Sequence, residues 1–348
     1  MPAYLSEEPP WFVFLVHPRD VEDLNAVPGG PFVSEHSATE EEFVEKMCTL
    51  PPTVIGTVRV GFTPVRGEVT AVLCMPDQMM RPKGRAGVAE GAALAVERGS
   101  RVIGLGALTA PATRGGTELL PHIPRGVTIT TGNAYTAAIA HRNALEAIAA
   151  LGSVGPVTVA VVGCTGSVGV ATSRLLARSG IDLVLIGRTV QRVWRELPEL
   201  AGKSIVSDDR RDVGKADVIL LLTGDTTAQL TPSMPRPGSV VIDFSHPFNI
   251  PLADFDLYRQ RDIRISQGGL VVIPGLSSTA QMRLPDRHCT LACLAETYLF
   301  AREGIREHSV GHAKVELADE LERLAAREGL TPRPLGLDTA PAPVHVAG

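Results

Sequence analysis

The chain has 348 residues, of which 44% are hydrophobic, and its net charge is -5 at pH 7. This length allows two domains that each bury a core. The acidic balance and the lack of long basic runs argue against nucleic acid as the main partner, and no apolar run reaches the roughly 20 residues that span a bilayer.

The start of the chain and its cysteines indicate a compartment. The first residues, MPAYLSEEPPW, lack the basic and long apolar regions of a secretory signal. A reducing compartment would keep the five cysteines, an odd number without paired metal-ligand spacing, as thiols. We therefore expect a cytoplasmic protein with neither a zinc site nor a disulfide framework. The cysteines are Cys48, Cys74, Cys164, Cys289 and Cys293.

The first part of the chain predicts an α/β domain. Apolar strands are expected at 11–16, 53–62 and 69–75, and helices near residue 20 and at 40–48 and 79–98. From Val102 to Pro111 a strand passes into a loop of small residues, where backbone can approach a ligand closely. An alanine-rich helix, Ala134–Leu151, then ends at Gly152, a suitable C-terminal cap.

The stretch from Val157 to Arg188 predicts a nucleotide-binding unit. An apolar strand is followed at once by GCTGSVG, a G-x-x-G-x-x-G variant of the dinucleotide fingerprint, then by a helix and a second strand. The glycines let backbone N–H groups approach a pyrophosphate, and the helix directs its positive N-terminal end toward it. A tight turn without a ligand is the alternative. The predicted cofactor-binding residues here are Gly163, Thr165, Gly166, Ser167, Val168 and Gly169.

The end of the second strand indicates which dinucleotide binds. A site for NAD usually has an Asp or Glu about 20 residues past the glycines. This chain instead has Arg188 and Thr189, with Arg192 one helical turn on. Guanidinium and hydroxyl groups can bind a 2′-phosphate, which a carboxylate would repel. NADPH is therefore the predicted cofactor, and solvated surface charges are the alternative.

Short β-type runs continue past Arg188 at spacings that suit a doubly wound sheet. Ligands of such sheets sit beyond the carboxyl ends of the strands. Thr223, Gly268 and Gly269 lie at such ends, as does the Asp243–His246 cluster, so they are candidates for binding cofactor or substrate. Each could equally be a plain turn.

Two thiols near the C-terminus are candidate nucleophiles. The sequence predicts a helix from Pro285 to Glu303, which would place Cys289 and Cys293 on one face, and a second helix at 312–328. Cys289, nearer the helix start and beside His288, outranks Cys293 as a thiolate by position alone. A buried thiol in a helix core is the alternative for both.

Other side chains could assist such chemistry. His17, His246 and His288 are candidate acids or bases, with packing or surface roles as the alternative. The basic stretch 79–85 could meet an acidic carrier protein or could be a solvated loop.

The order and spacing of several motifs resemble those of the long-chain acyl-[acyl-carrier-protein] reductases, which form fatty aldehydes. TTGNAYTA at 130–137 resembles the family's TTGN-x-x-TA, and VAVVGCTGSVG at 159–169 resembles its nucleotide motif. GLGALT at 104–109, GGLV at 268–271 and ACLAE at 292–296 are similar to further motifs of the family.

The resemblance implies a two-step reduction. In the family, the cysteine of the A-C-F-A-E motif takes the acyl group from the carrier thioester, and NADPH then reduces the acyl group. This cysteine matches Cys293, so the resemblance reverses the ranking of the two thiols. It also implies acyl carrier protein, or coenzyme A, as the acyl donor, and makes Thr131, Gly132 and Asn133 substrate-side candidates.

We therefore predict an α/β protein with a Rossmann-type, doubly wound parallel sheet and an NADPH-dependent acyl-thioester reductase activity. Residues 1–152 would form an N-terminal α/β substrate domain, 153–275 the NADPH-binding domain, 276–330 the helices that carry Cys293 and pack back at the cleft, and 331–348 a flexible tail. No metal is expected. A thiol-independent dehydrogenase of the shikimate or methylene-tetrahydrofolate type, and a non-catalytic NADPH sensor, are the alternatives.

Overall fold

The protein divides into two compact units in a computed structural model, which describes residues 10–61, 63–153, 155–225, 229–245 and 248–337. Unit 1 comprises Met1–Gly132, Val272–Gly311 and Glu328–Leu330, and unit 2 comprises Asn133–Val271, His312–Arg327 and Thr331–Gly348. The predictions for Phe62, His246 and the tail beyond residue 337 lie outside the described residues. No helix of the described ranges is both long and apolar enough to cross a membrane.

Strands and helices alternate along most of the described chain. The strands are β1 Phe12–Val16, β2 Thr53–Val60, β3 Arg66–Ala71, β4 Val102–Leu105, β5 Thr128–Thr130, β6 Thr158–Val162, β7 Asp182–Ile186, β8 Ile205–Ser207, β9 Val218–Leu221, β10 Val240–Asp243, β11 Arg264–Gln267, β12 Leu270–Val272, β13 Leu276–Ser278, β14 Cys289–Leu291 and β15 Thr331–Pro332. The α-helices are α1 Val21–Ala26, α2 Gly30–Glu35, α3 Glu40–Cys48, α4 Pro76–Met79, α5 Pro82–Glu97, α6 Thr109–Ala112, α7 Asn133–Leu151, α8 Ser167–Arg178, α9 Val190–Glu196, α10 Pro198–Ala201, α11 Phe255–Arg259, α12 Ala292–Glu303 and α13 Val315–Arg327. Short 3-10 helices lie at Thr117–His122, Arg210–Lys215 and Leu252–Asp254.

Unit 1 is built on a six-stranded sheet with the order β13-β2-β3-β1-β4-β5. The strands β3, β1, β4 and β5 run parallel, whereas β2 pairs antiparallel with β3 and β13 pairs antiparallel with β2. The central strand β1 is apolar throughout, and Phe12 to Leu15 are fully buried. Because a parallel sheet is covered on both faces, its inner strands are apolar at consecutive positions.

A buried ion pair lies inside this first sheet. Glu68, in β3 between β1 and β2, is almost fully buried, and both carboxylate oxygens accept hydrogen bonds from the Arg98 guanidinium, beyond the C-terminus of α5. A buried carboxylate is tolerated when a bidentate partner compensates the loss of hydration.

Replacing Arg98 with methionine should lower the free energy of unfolding by about 3–5 kcal/mol, because it leaves the Glu68 charge buried without its partner. Arg81→Met is the matched control: Arg81 pairs with Asp77 at the surface, and losing such a pair costs less than about 1 kcal/mol. Urea unfolding of the two variants measures both values. Equal losses would show that the burial of Glu68 does not set the cost.

Unit 2 is built on a six-stranded parallel sheet with the order β8-β7-β6-β9-β10-β11. Counted from β6, this is the order 3-2-1-4-5-6 of the Rossmann fold. Along β6, Val159 and Val161 pack into one hydrophobic cluster, while Ala160 and Val162 pack into another. Both faces of the sheet are therefore covered, and the prediction of a doubly wound α/β fold is confirmed.

Two predictions about cysteines are wrong. Cys48 and Cys74 form a disulfide in the structure, because the end of α3 and the segment after β3 meet in one buried cluster that a count of cysteines cannot show. The predicted helix from Pro285 begins only at Ala292, and Cys289 lies in strand β14. The His288 carbonyl, just before β14, accepts a hydrogen bond from the Ile273 N–H at 3.0 Å and so pairs with another segment rather than within a helix.

Candidate active site

The glycine turn of unit 2 has the tight geometry that a dinucleotide site requires. Gly163 has a positive φ of 87°, and a Cβ there would lie 2.8 Å from the Leu222 carbonyl oxygen. A Cβ on Gly169 would lie 2.2 Å from the Gly163 carbonyl oxygen. Side chains are therefore excluded at both positions, and backbone lines the turn. Helix α8 begins one residue after Gly166, so its first N–H groups open at this turn.

The Ser167 hydroxyl ties the turn to the rest of unit 2. It accepts hydrogen bonds from Asn133 Nδ2 at 3.0 Å and from the Ala313 N–H at 2.9 Å. Asn133, predicted as a substrate-side residue, thus contacts a residue that was predicted to bind cofactor.

Three residues after β7 were predicted to select NADPH. Arg188 and Thr189 are exposed, and Thr189 caps α9 by accepting from the Arg192 N–H at 3.3 Å. Arg192 Nη2 lies 3.5 Å from the Thr165 carbonyl oxygen in the glycine turn. Its Nε is buried and has no hydrogen-bond partner among the described residues. A buried donor of this kind is costly unless a ligand pairs with it.

The other predicted strand-end residues differ in their roles. The Thr223 hydroxyl accepts from the Asp225 N–H at 3.1 Å, and the Thr223 nitrogen lies beside Gly163. The Gly269 N–H donates to Asn143 Oδ1 at 3.2 Å, and a Cβ on Gly268 would meet the Phe244 ring at 2.4 Å. Asp243 is buried and accepts from backbone N–H groups of the loop that follows it, so it acts as a turn-forming carboxylate.

These residues fit a dinucleotide. The turn excludes side chains where a pyrophosphate would approach backbone, and the unpaired Arg192 Nε adjoins the position where a 2′-phosphate would be recognised. Gly163, Gly166 and the start of α8 would hold the pyrophosphate, and Arg188 and Arg192 the 2′-phosphate. Within the described residues, no group of three or more His, Cys, Asp or Glu side chains is arranged to hold a metal ion.

The predicted nucleophile, Cys293, lies in unit 1 at the second position of α12. It is partly exposed, whereas Cys164 and Cys289 are buried. The predicted residue Gly132 packs directly against it: Gly132 has a φ of 71°, and a Cβ there would lie 2.2 Å from the Cys293 Cβ. The TTGN and ACLAE segments, which are far apart in sequence, thus meet at this cysteine.

Cys293 is held as a thiol. The pKa of the thiol is raised to about 12, mainly by burial and in part by the nearby Glu296, although backbone hydrogen bonds from Leu294, Cys293 and Ala107 act in the opposite direction. With its pKa raised in this way, the sulfur carries its proton at neutral pH. Activation by a depressed pKa, which is common for reactive cysteines, is therefore not a property of the resting protein.

A buried carboxyl group lies one helical turn beyond Cys293. Glu296 is fully buried, and its Oε1 accepts a short hydrogen bond from the Thr130 hydroxyl. That hydroxyl also accepts from the Gly132 N–H at 3.2 Å, and the Thr131 N–H donates to the Ser309 carbonyl at 3.0 Å. These bonds fix the backbone of residues 130–132 beside Cys293.

The sequence did not single out Thr130, Glu296 or the backbone of Ala107 as site residues. A signal for Glu296 was present, because it follows Cys293 by three residues and so lies on the same side of a helix. The sequence marked the loop after β4 as a place where backbone can approach a ligand, but it did not indicate that this loop reaches the cysteine. Among the histidines, His17 is buried and His288 is exposed beside Arg287.

Three curated proteins are similar to this chain at the level of sequence, among them the two that follow. The aminotransferase PigE of a Serratia species is 29% identical over 252 residues, which is 69% of this chain and 29% of that protein. The long-chain acyl-[acyl-carrier-protein] reductase of Synechococcus elongatus is 29% identical over 220 residues, which is 60% of this chain and 63% of the reductase. The chain therefore spans less than two thirds of either relative. No family model matches it.

Solved structures overlap with the chain only in part. A thermostable alcohol dehydrogenase from Pyrobaculum aerophilum has a TM-score of 0.31 at 20% identity, and the match covers 57% of this chain and 53% of the dehydrogenase. The strand order of unit 2, rather than this similarity, establishes the fold.

Proposed function

We propose that the protein is an NADPH-dependent reductase that converts an acyl thioester to an aldehyde through an acyl group on Cys293. The observation that carries the proposal is the position of Cys293, a partly exposed thiol at the first turn of α12 that packs against Gly132. The glycine turn, the unpaired Arg192 Nε and the distant similarity to an acyl-carrier-protein reductase support it.

In the first step, the Cys293 sulfur attacks the thioester carbonyl. A bond forms between Sγ and the acyl carbon, the bond from that carbon to the donor's sulfur breaks, and the proton of the Cys293 thiol leaves with the departing thiol. One thioester replaces another, so the exchange is nearly isoenergetic. The raised pKa of Cys293 means that this proton has to be transferred during the attack rather than lost beforehand.

In the second step, the acyl carbon is reduced. NADPH, when bound, supplies the hydride that this carbon accepts. The bond to Sγ then breaks, the aldehyde leaves, and a proton returns the Cys293 sulfur to the thiol. The chain's own contribution is to hold the acyl group as a thioester, which accepts hydride more readily than a carboxylate does.

Acyl carrier protein is the donor that we propose, with coenzyme A as the second possibility. Arg81 and Lys83, at the junction of α4 and α5 in unit 1, are exposed and positively charged. Charge of this sign would favour encounter with an acidic carrier. Comparing turnover of one acyl group on the two donors, at low and at high salt, separates them.

Arg192→Ala should weaken NADPH binding by about 10- to 100-fold and leave NADH binding within about 3-fold, because only NADPH offers a 2′-phosphate to the guanidinium. The matched control is Arg195→Ala, on the same short helix, whose side chain is exposed and pairs with Glu196. Calorimetric titration of both nucleotides gives the ratio. An equal loss for NADPH and NADH would contradict the assignment of Arg192.

Intact-mass trapping tests the whole proposal. The protein is incubated without NADPH with octanoyl and palmitoyl thioesters of acyl carrier protein and of coenzyme A. We expect a single acyl adduct, located on Cys293 by peptide mapping, that disappears with release of aldehyde when NADPH is added. Turnover without an adduct would favour the thiol-independent dehydrogenase. Nucleotide binding with neither adduct nor turnover would favour the sensor.

A further inference from the structure

A buried histidine next to β1 has no part in the chemistry described above. His17 follows β1 directly, and its Nδ1 lies 2.7 Å from the Pro18 carbonyl oxygen. The Leu108 N–H donates to the other ring nitrogen, Nε2, at 3.3 Å. Since Nε2 accepts, the ring proton lies on Nδ1 and is donated to Pro18. Burial lowers the pKa of His17 to about 4, so this neutral form persists at neutral pH.

The hydrogen bond from the Leu108 N–H to His17 Nε2 restrains a strained loop. Residues 106–109 follow β4, and the Gly106 N–H donates to the Leu15 carbonyl at 2.8 Å, while the Thr109 hydroxyl donates to the Gly106 carbonyl at 2.7 Å. Ala107, between these anchors, has a φ of 47°, which side-chain-bearing residues rarely adopt. Such a conformation persists only when its surroundings hold it, and the bond from Leu108 to His17 is the restraint next to Ala107.

The held loop brings a donor to the cysteine. Strand β4 packs against the first turns of α12, because a Cβ on Gly104 would lie 2.1 Å from the Thr297 hydroxyl oxygen. The backbone N–H of Ala107, three residues after Gly104, hydrogen-bonds to the Cys293 thiol and lowers its pKa, as the N–H groups of Cys293 and Leu294 do. In an acyl transfer the carbonyl oxygen is attached to the carbon that bonds to this sulfur, and it becomes negative in the tetrahedral intermediate. Backbone donors that converge around a nucleophile are how acyl-transfer sites stabilise that charge.

We infer that His17 is a positioning residue, which holds the Ala107 N–H as a donor to the oxyanion formed when Cys293 is acylated. The inference rests on the proposed function. His17 itself touches neither the substrate nor the reacting atoms, and it acts through the backbone of Leu108 and Ala107.

Two substitutions separate the hydrogen bonds of His17. In His17→Asn the side-chain amide can still donate to Pro18, but it is too short to accept from Leu108. In His17→Gln the side-chain oxygen can take the place of Nε2 and accept from Leu108. Both variants are polar and neutral, so they differ mainly in the bond that positions the loop. Thermal unfolding of each variant reports whether the fold is retained.

Two reactions of Cys293 are then compared in each variant. Acylation by the thioester panel forms an oxyanion, whereas alkylation by iodoacetamide forms none. For His17→Asn we expect acylation to slow by about 100-fold. Alkylation should slow by less than about 5-fold, because loss of one neutral hydrogen bond to the sulfur is worth little. His17→Gln should restore acylation to within about 5-fold of the parent.

The outcomes distinguish this inference from the proposed function. Equal losses in acylation and alkylation, or Asn and Gln variants that acylate at the same rate, would overturn the role of His17 while leaving a parent that still forms the adduct. A parent protein that is alkylated at Cys293 but never acylated would overturn both.

Discussion

Replacing Cys293 with alanine should lower kcat for acyl-thioester reduction by about 10⁴-fold or more, because the variant has no atom that can carry the acyl group. The acyl adduct should be absent, while NADPH affinity should be unchanged because the glycine turn and Arg192 belong to unit 2. Cys293→Ser should also lose most activity, since a hydroxyl is a weaker nucleophile and an oxygen ester accepts hydride less readily than a thioester.

The matched control is Cys289→Ala. Cys289 lies shortly before α12 in the sequence, but it belongs to strand β14 and its side chain is buried. Its removal should cost about 1–3 kcal/mol of stability through the cavity that it leaves, with kcat for the folded protein within about 2-fold of the parent. Steady-state kinetics on protein of known folded fraction measures both. A Cys293→Ala protein that reduces thioesters at the parent rate would contradict the proposed function.

Much of unit 2 could be predicted from the sequence. Val159 to Val162 are consecutive apolar residues followed at once by glycines, and this pattern specifies a buried parallel strand, a turn and a helix through local interactions alone. The sequence predicted a doubly wound parallel sheet but not the order of its strands, because the sequence does not indicate which strands pair. The structure supplies the order β8-β7-β6-β9-β10-β11.

The region before α12 could not be predicted in the same way. Its apolar and helix-forming residues extend the helical pattern back to Pro285, but the chain from Cys289 to Leu291 is a strand. Its backbone conformation is set by contacts with a distant segment, such as the bond between Ile273 and His288. Tertiary contacts of this kind override local propensity and leave no signal in one sequence.

The candidate site shows the same division. Cys293 was ranked below Cys289 by position alone and above it by resemblance, and the structure shows that Cys293 is the more exposed of the two. Its protonation could not be predicted, because the pKa depends on burial and on Glu296, Ala107 and Leu294. Ala107 lies in a loop that is nearly 200 residues earlier in the chain than Cys293. Hydrophobic periodicity indicates local secondary structure and cannot show a contact between segments so far apart.

Gly132→Ala should be among the most damaging single substitutions in unit 1. An alanine at a φ of 71° costs about 1–2 kcal/mol. In addition, its Cβ would lie 2.2 Å from the Cys293 Cβ and 2.4 Å from the Cys293 Cα. Neither atom can rotate away, because they belong to or adjoin the backbone of α12, so the helix start has to move at a further cost of about 1–3 kcal/mol. We expect a total loss of about 2–5 kcal/mol in the free energy of unfolding.

Gly304→Ala isolates the part of this loss that comes from the collision. Gly304 lies beyond the C-terminus of the same helix with a φ of 66°, and a Cβ there would meet no atom within 4 Å. This variant should therefore lose only the part of the free energy of unfolding that comes from the backbone conformation, about 1–2 kcal/mol. The acylation rate of Cys293 should be unchanged. Gly132→Ala should slow acylation as well, because moving the start of α12 displaces the sulfur from the Ala107 N–H. If the two variants lose the same stability and acylate at the same rate, the contact between Gly132 and Cys293 does not position the nucleophile.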